Sequence, residues 1–143
     1  MGLDFNQYAQ EGNEFINKLA ADLGHPDRKD QTGILLRAVL HTLRDRISVP
    51  ENLHVVAQLP MFLKGVYVDQ WSYSEDVDRL KTAQEFSKRV EDRQAQLGEQ
   101  RFDWEQPTEQ LIKKVFAAIE QYLTEGEIDD IRSELPEEIA ALV

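Results

Sequence analysis

The chain has no cysteine anywhere in its 143 residues, which excludes disulfides, thiolate metal sites and thiol nucleophiles. A protein of this length does not need such staples, since folding can bury roughly 68–70% of the unfolded surface. No apolar run approaches the ~20 residues of a membrane-spanning helix. Met1-Gly2-Leu3-Asp4-Phe5 lacks the basic and apolar regions of a secretory signal, and Asn6 stands where a myristoylation signal carries Ser or Thr. The expectation is a cytoplasmic protein that spans no membrane. Glycine-rich phosphate loops and nucleophile elbows are missing as well, which argues against an enzyme.

Basic charge is scarce. There are 16 Lys and Arg against 27 Asp and Glu, a net charge of −11. The deficit is uneven: residues 1–74 carry 7 basic and 9 acidic side chains, residues 75–143 carry 9 and 18. Such a surface repels phosphate backbones, so nucleic acid is not an expected partner. An acidic half can attract a basic partner, though solubility alone is the commoner reason for one.

What is present is helical periodicity, used twice. Gln58-Leu59-Pro60 returns as Glu134-Leu135-Pro136, an offset of 76. Leu35, Leu36, Val39, Leu40, Leu43 and Ile47 map at the same offset onto Leu111, Ile112, Val115, Phe116, Ile119 and Leu123. Each set forms one broad apolar face at 100° per residue. The unit reads as helix, long helix, short helix, proline corner, short helix. Asp4 with Gln7, Thr82 with Glu85 and Thr124 with Glu127 are helix-start signals, and Pro50, Pro60, Pro107 and Pro136 suit first turns. Gly12 weakens the first segment, which places its ordered start nearer Asn13. Between the first and second helices of the second unit, residues 97–106 are an insertion, with Phe102 and Trp104 expected to fold it onto the core.

The expected fold class is all-α: a compact bundle of about six to eight helices with approximate internal twofold symmetry, built from two repeats that bury their apolar faces together. Residues 1–143 read as a single domain, with units at 5–67 and 82–143 and an aromatic, acidic join at 68–81.

The run from Leu36 to Arg46, then Gln58-Leu59-Pro60, Gly65-Val66-Tyr67 and Trp71, resembles the bacterial family called domain of unknown function 2267. Glu125-Gly126-Glu127 and Leu135-Pro136 are similar to its second half, so the resemblance extends from Phe15 to Leu142. It implies a duplicated all-helical domain with no established activity and no catalytic residue. Gln70 departs from the pattern, because the family usually has glycine before the tryptophan.

Two places could carry function. Tyr67, Trp71 and Tyr73 cluster near the join, where such rings either anchor a partner or plug the seam between units. Arg37, His41 and Arg44 share one side of the long helix, opposite its apolar face. That strip either binds a small anion, with His41 changing charge near neutral pH, or pairs with surface acids. No metal or cofactor is expected. His25, His41 and His54 lack a second ligand at a recognised spacing, and Glu125, Glu127, Asp129 and Asp130 lack the pattern of a calcium loop. The sequence therefore points first to a non-catalytic interaction module that binds a protein partner or itself near the join. A small-anion or enzymatic site at the strip is the alternative.

Overall fold

A computed structural model describes residues 2–98 and 103–143, which form eight α-helices and no strand. They are α1 (Phe5–Asp22), α2 (Lys29–Arg46), α3 (Val49–Gln58), α4 (Met61–Val68), α5 (Ala83–Leu97), α6 (Thr108–Glu120), α7 (Glu125–Ser133) and α8 (Glu137–Ala140). The all-helical expectation holds, with four of these helices before the loop at residue 69 and a second group of four after it. Phe102 lies outside the described residues.

Local chemistry explains most helix starts. Asp4, Ser48, Thr82 and Thr124 each accept a hydrogen bond from the backbone N–H three residues on, at 3.2, 3.3, 3.0 and 3.1 Å. Each bond satisfies one amide that the first helical turn leaves open. Pro60, Pro107 and Pro136 stand immediately before α4, α6 and α8, where a missing N–H costs nothing. α1 begins at Phe5 rather than near Asn13. The penalty of Gly12, about 1 kcal/mol, is offset by the Asp4 cap and by the burial of Phe15 and Leu19.

α2 is the central element and packs against α1, α4, α5 and α6. Its Leu35, Leu36, Val39, Leu40 and Leu43 join Leu19, Leu63, Phe86, Val90, Ile112 and Ile139 in one hydrophobic cluster. The opposite side of α2 departs from expectation. It is not a solvated charged back, because the end of α4 and the loop after it meet His41 and Arg44, which are buried. α4 runs to Val68, so the first residue of the expected join is helical and the loop begins at Asp69.

The insertion before α6 folds back on the α1–α2 turn. Trp104 stacks on His25, with ring centroids 4.2 Å apart and planes within 10°, and donates its indole N–H to Gln31 at 3.0 Å. Gln106 donates to the Leu23 carbonyl at 2.7 Å.

Candidate functional site

The basic strip of α2 meets the C-terminal end of α4. Arg37 pairs with Asp69, and His41 Nε2 lies 2.7 Å from the Val66 carbonyl. Arg44 Nη1 donates to the Tyr67 and Asp69 carbonyls, both at 2.9 Å. The last carbonyls of a helix have no partner within it and carry partial negative charge, so a cluster of N–H donors that includes cationic ones suits them. Because a carbonyl can only accept, the His41 proton resides on Nε2 and Nδ1 is bare when the ring is neutral. Burial, opposed by that hydrogen bond and reinforced by Arg44, Arg37 and Arg93, lowers the His41 pKa below its ordinary value. The Arg37 hydrogen bond holds the Asp69 carboxyl below the usual range.

Of the predicted aromatic triad, Tyr67 is corrected. Its ring is 0% exposed and its hydroxyl donates to Asn52 Oδ1. Asn52 in turn donates to the Arg44 and Ser48 carbonyls at 2.8 and 3.1 Å, closing the end of α2. Burial pushes the Tyr67 hydroxyl pKa far up. Tyr67 is thus a core residue with a satisfied polar tip rather than an exposed anchor. Trp71 is half-buried with the Arg44 guanidinium 5.9 Å from its ring centroid. Tyr73 is 74% exposed and Val68, the last residue of α4, 40%.

Beneath the join lies a cavity of about 400 Å³ lined by Arg44, Asp45, Trp71, Asp76, Asp78 and Arg93, among others. Asp45 sits between the two arginines, accepting from Arg44 Nε at 3.2 Å and Arg93 Nη2 at 2.6 Å. The loop is pinned at further points. Asp78 N donates to the Asp45 carbonyl at 2.8 Å, and Arg46 Nε donates to the Leu80 carbonyl at 2.8 Å. Gln70 turns the chain with φ 58.

A second constellation lies where α3 meets α7. Ser48 and Thr124, 76 residues apart, are the N-caps of these helices. Glu134 accepts the Ser48 N–H at 2.8 Å and Gln58 accepts the Thr124 N–H at 2.9 Å, so each helix start is closed by a residue from the other group of four. In an ordinary capping box those amides would be taken by the glutamates at the third helical position, Glu51 and Glu127. Displaced from that role, Glu51 (7% exposed) and Glu127 (5%) face each other, each with an Oε1 that has no partner among the described residues. His54 Nδ1 lies 3.7 Å from Glu51 Oε2, and donor atoms of Glu51, His54 and Glu127 all fall within 4.8 Å of one another. Burial, then the neighbouring Glu51 carboxyl, raises the Glu127 pKa to about 8. The predicted isolation of His54 is corrected: Glu51-x-x-His54 is the spacing with which one helix face presents two metal ligands. That spacing, with Glu51 mapping onto Glu127 at the repeat offset, was a usable signal in the sequence.

These features define a helical scaffold of eight elements with no linear catalytic motif, two polar junctions and a pinned aromatic loop. The family described as an uncharacterized conserved protein, DUF2267, matches residues 12–142, and the chain belongs to that family. A comparison with curated proteins found no match. Among the described residues no helix is long and apolar enough to cross a membrane.

Proposed function

We propose that the chain is a non-catalytic cytoplasmic interaction module that binds a basic segment of another protein at the join between α4 and α5. The observation that carries this reading is the contrast within the loop. Its backbone is tied to α2 by Arg44, Arg46 and Asp45, yet Tyr73 and Val68 stay exposed beside the half-buried Trp71. Anchors on a loop whose two ends are fixed, with Val68 at the end of α4 beside it, bind with less ordering cost than a free segment would. Asp69, Glu75 and Asp76 are exposed around those anchors, and this acidic rim complements a basic partner. A second copy would bring like charges together on a protein of net charge −11. Anion binding at Arg37, His41 and Arg44 is the weaker reading, because Arg37 is already paired with Asp69 and His41 and Arg44 meet carbonyls at the end of α4.

The test is affinity capture from native lysate with the purified chain as bait, beside Tyr73→Ala and Trp71→Ala, each checked for helix content. A basic polypeptide retained by the wild type, lost with Tyr73→Ala and weakened by salt supports the proposal. Equal capture by all three baits overturns it, as does light scattering that finds the join closed by a second copy.

A further inference from the structure

We propose that Glu51, His54 and Glu127 form a binding site for a divalent transition cation of the zinc and manganese class, at the contact between α3 and α7. Two carboxylates with buried oxygens that no donor satisfies are costly to bring together, since both the lost hydration and their mutual repulsion oppose it. Only a proton or a cation between them removes both penalties. The third group decides which. His54 is largely exposed, and its Nδ1 is turned toward Glu51. Imidazole adds a neutral nitrogen donor, which a shared proton does not require and a borderline metal prefers.

The geometry suits the ion. Donors about 2.0–2.2 Å from a tetrahedral zinc stand roughly 3.4 Å from one another. The Glu51 Oε2 to His54 Nδ1 separation is 3.7 Å, and the full set lies within 4.8 Å. Side-chain rotation alone closes that difference. Glu51 and Glu127 stand on helix starts already locked by Glu134 and Gln58, so the backbone is fixed before an ion arrives. Asp130 and Glu134 add negative charge around Glu127. The exposed His54 marks the open side, where water completes the coordination and the ion enters. Calcium and magnesium, which take oxygen ligands in larger number, fit this three-donor set poorly.

The experiment is thermal unfolding of the untagged chain after chelation, then with Zn²⁺, Mn²⁺, Ca²⁺ or Mg²⁺. Wild type, His54→Ala and Glu127→Gln are run in parallel, with zinc affinity measured by calorimetry. Saturating Zn²⁺ should raise the wild-type Tm by roughly 5–10 °C, with a smaller rise for Mn²⁺ and none for Ca²⁺ or Mg²⁺. His54→Ala, on an exposed side chain, keeps the fold and should weaken zinc roughly tenfold or more. Glu127→Gln keeps the shape and should abolish the response. The site is overturned if the wild type ignores Zn²⁺ and Mn²⁺, or if both variants respond as fully as the wild type. It is also overturned if Glu127→Gln stabilises a wild type that takes no metal, which would assign the pair to a shared proton.

Discussion

Gln70 holds φ 58, a conformation in which a side chain crowds the backbone and costs roughly 1–2 kcal/mol. Glycine relieves that crowding but gains freedom in the unfolded chain. Gln70→Gly should therefore raise stability by about 0.5–1 kcal/mol, read from the urea midpoint. A drop would mean that the glutamine side chain makes contacts worth more than the relief. Tyr67→Phe should act in the opposite direction. It leaves Asn52 Oδ1 buried without its donor, and the expected loss is about 1–3 kcal/mol with the helix content unchanged. His41 has a sign that can be worked out. Its folded pKa is below the ordinary 6.5, so its contribution is complete above pH 6.5. As pH falls below that value the unfolded chain takes the proton first, and stability declines. An imidazole NMR titration should place His41 below 6.5, and a midpoint at or above it would contradict the burial. Gln70 was legible as a glycine position and His41 as a titrating group, but the Tyr67–Asn52 contact and the burial of His41 were not. Tyr67 read as a ring near the join because no local signal says which side chain its hydroxyl will meet.

The basic strip acts at the level of the element, as a cap that α2 supplies to α4. Periodicity placed Arg37, His41 and Arg44 on one side correctly. It could not say that another helix end would cover that side, because a short helix carries no signal of where its open carbonyls will dock. Arg44→Met should cost about 2–4 kcal/mol, since it strips charged donors from the Tyr67 and Asp69 carbonyls while keeping much of the volume. Arg44→Lys should recover only part, because one ammonium cannot reproduce the planar fork. Equal stability of wild type and Arg44→Met would remove the capping role. The helix starts tell the opposite story. Thr82 with Glu85 and Thr124 with Glu127 lie three residues apart, so their caps could be read directly. What could not be read is that Gln58 and Glu134 take the N-cap amides and leave Glu51 and Glu127 facing each other. That depends on which helices meet, and the repeat offset equates those residues without saying that they touch.

Across the whole molecule the charge imbalance is the dominant unbalanced force. The surplus of −11 is spread over the chain, with its acidic excess concentrated after residue 74. Long-range ion pairs within the chain, such as Arg93–Asp45, hold their charges at 2.6 Å. Raising ionic strength from about 0.01 M to 0.1 M shortens the screening length from about 30 Å to about 10 Å. Pairs in contact lie well inside either length and lose little, whereas repulsion between acids tens of ångströms apart is largely removed. Exposed pairs contribute about 0–1 kcal/mol each in any case. The chelated protein should therefore become more stable as NaCl is added over this range, with Tm rising by roughly 2–4 °C for about 1 kcal/mol of relieved repulsion. The same salt should weaken capture of a basic partner at the join, since attraction between molecules is screened as repulsion within one is. A Tm that falls over that range would mean that the ion pairs around Asp45, Asp69 and Asp78 outweigh the net charge, and that the stability of this scaffold rests on them.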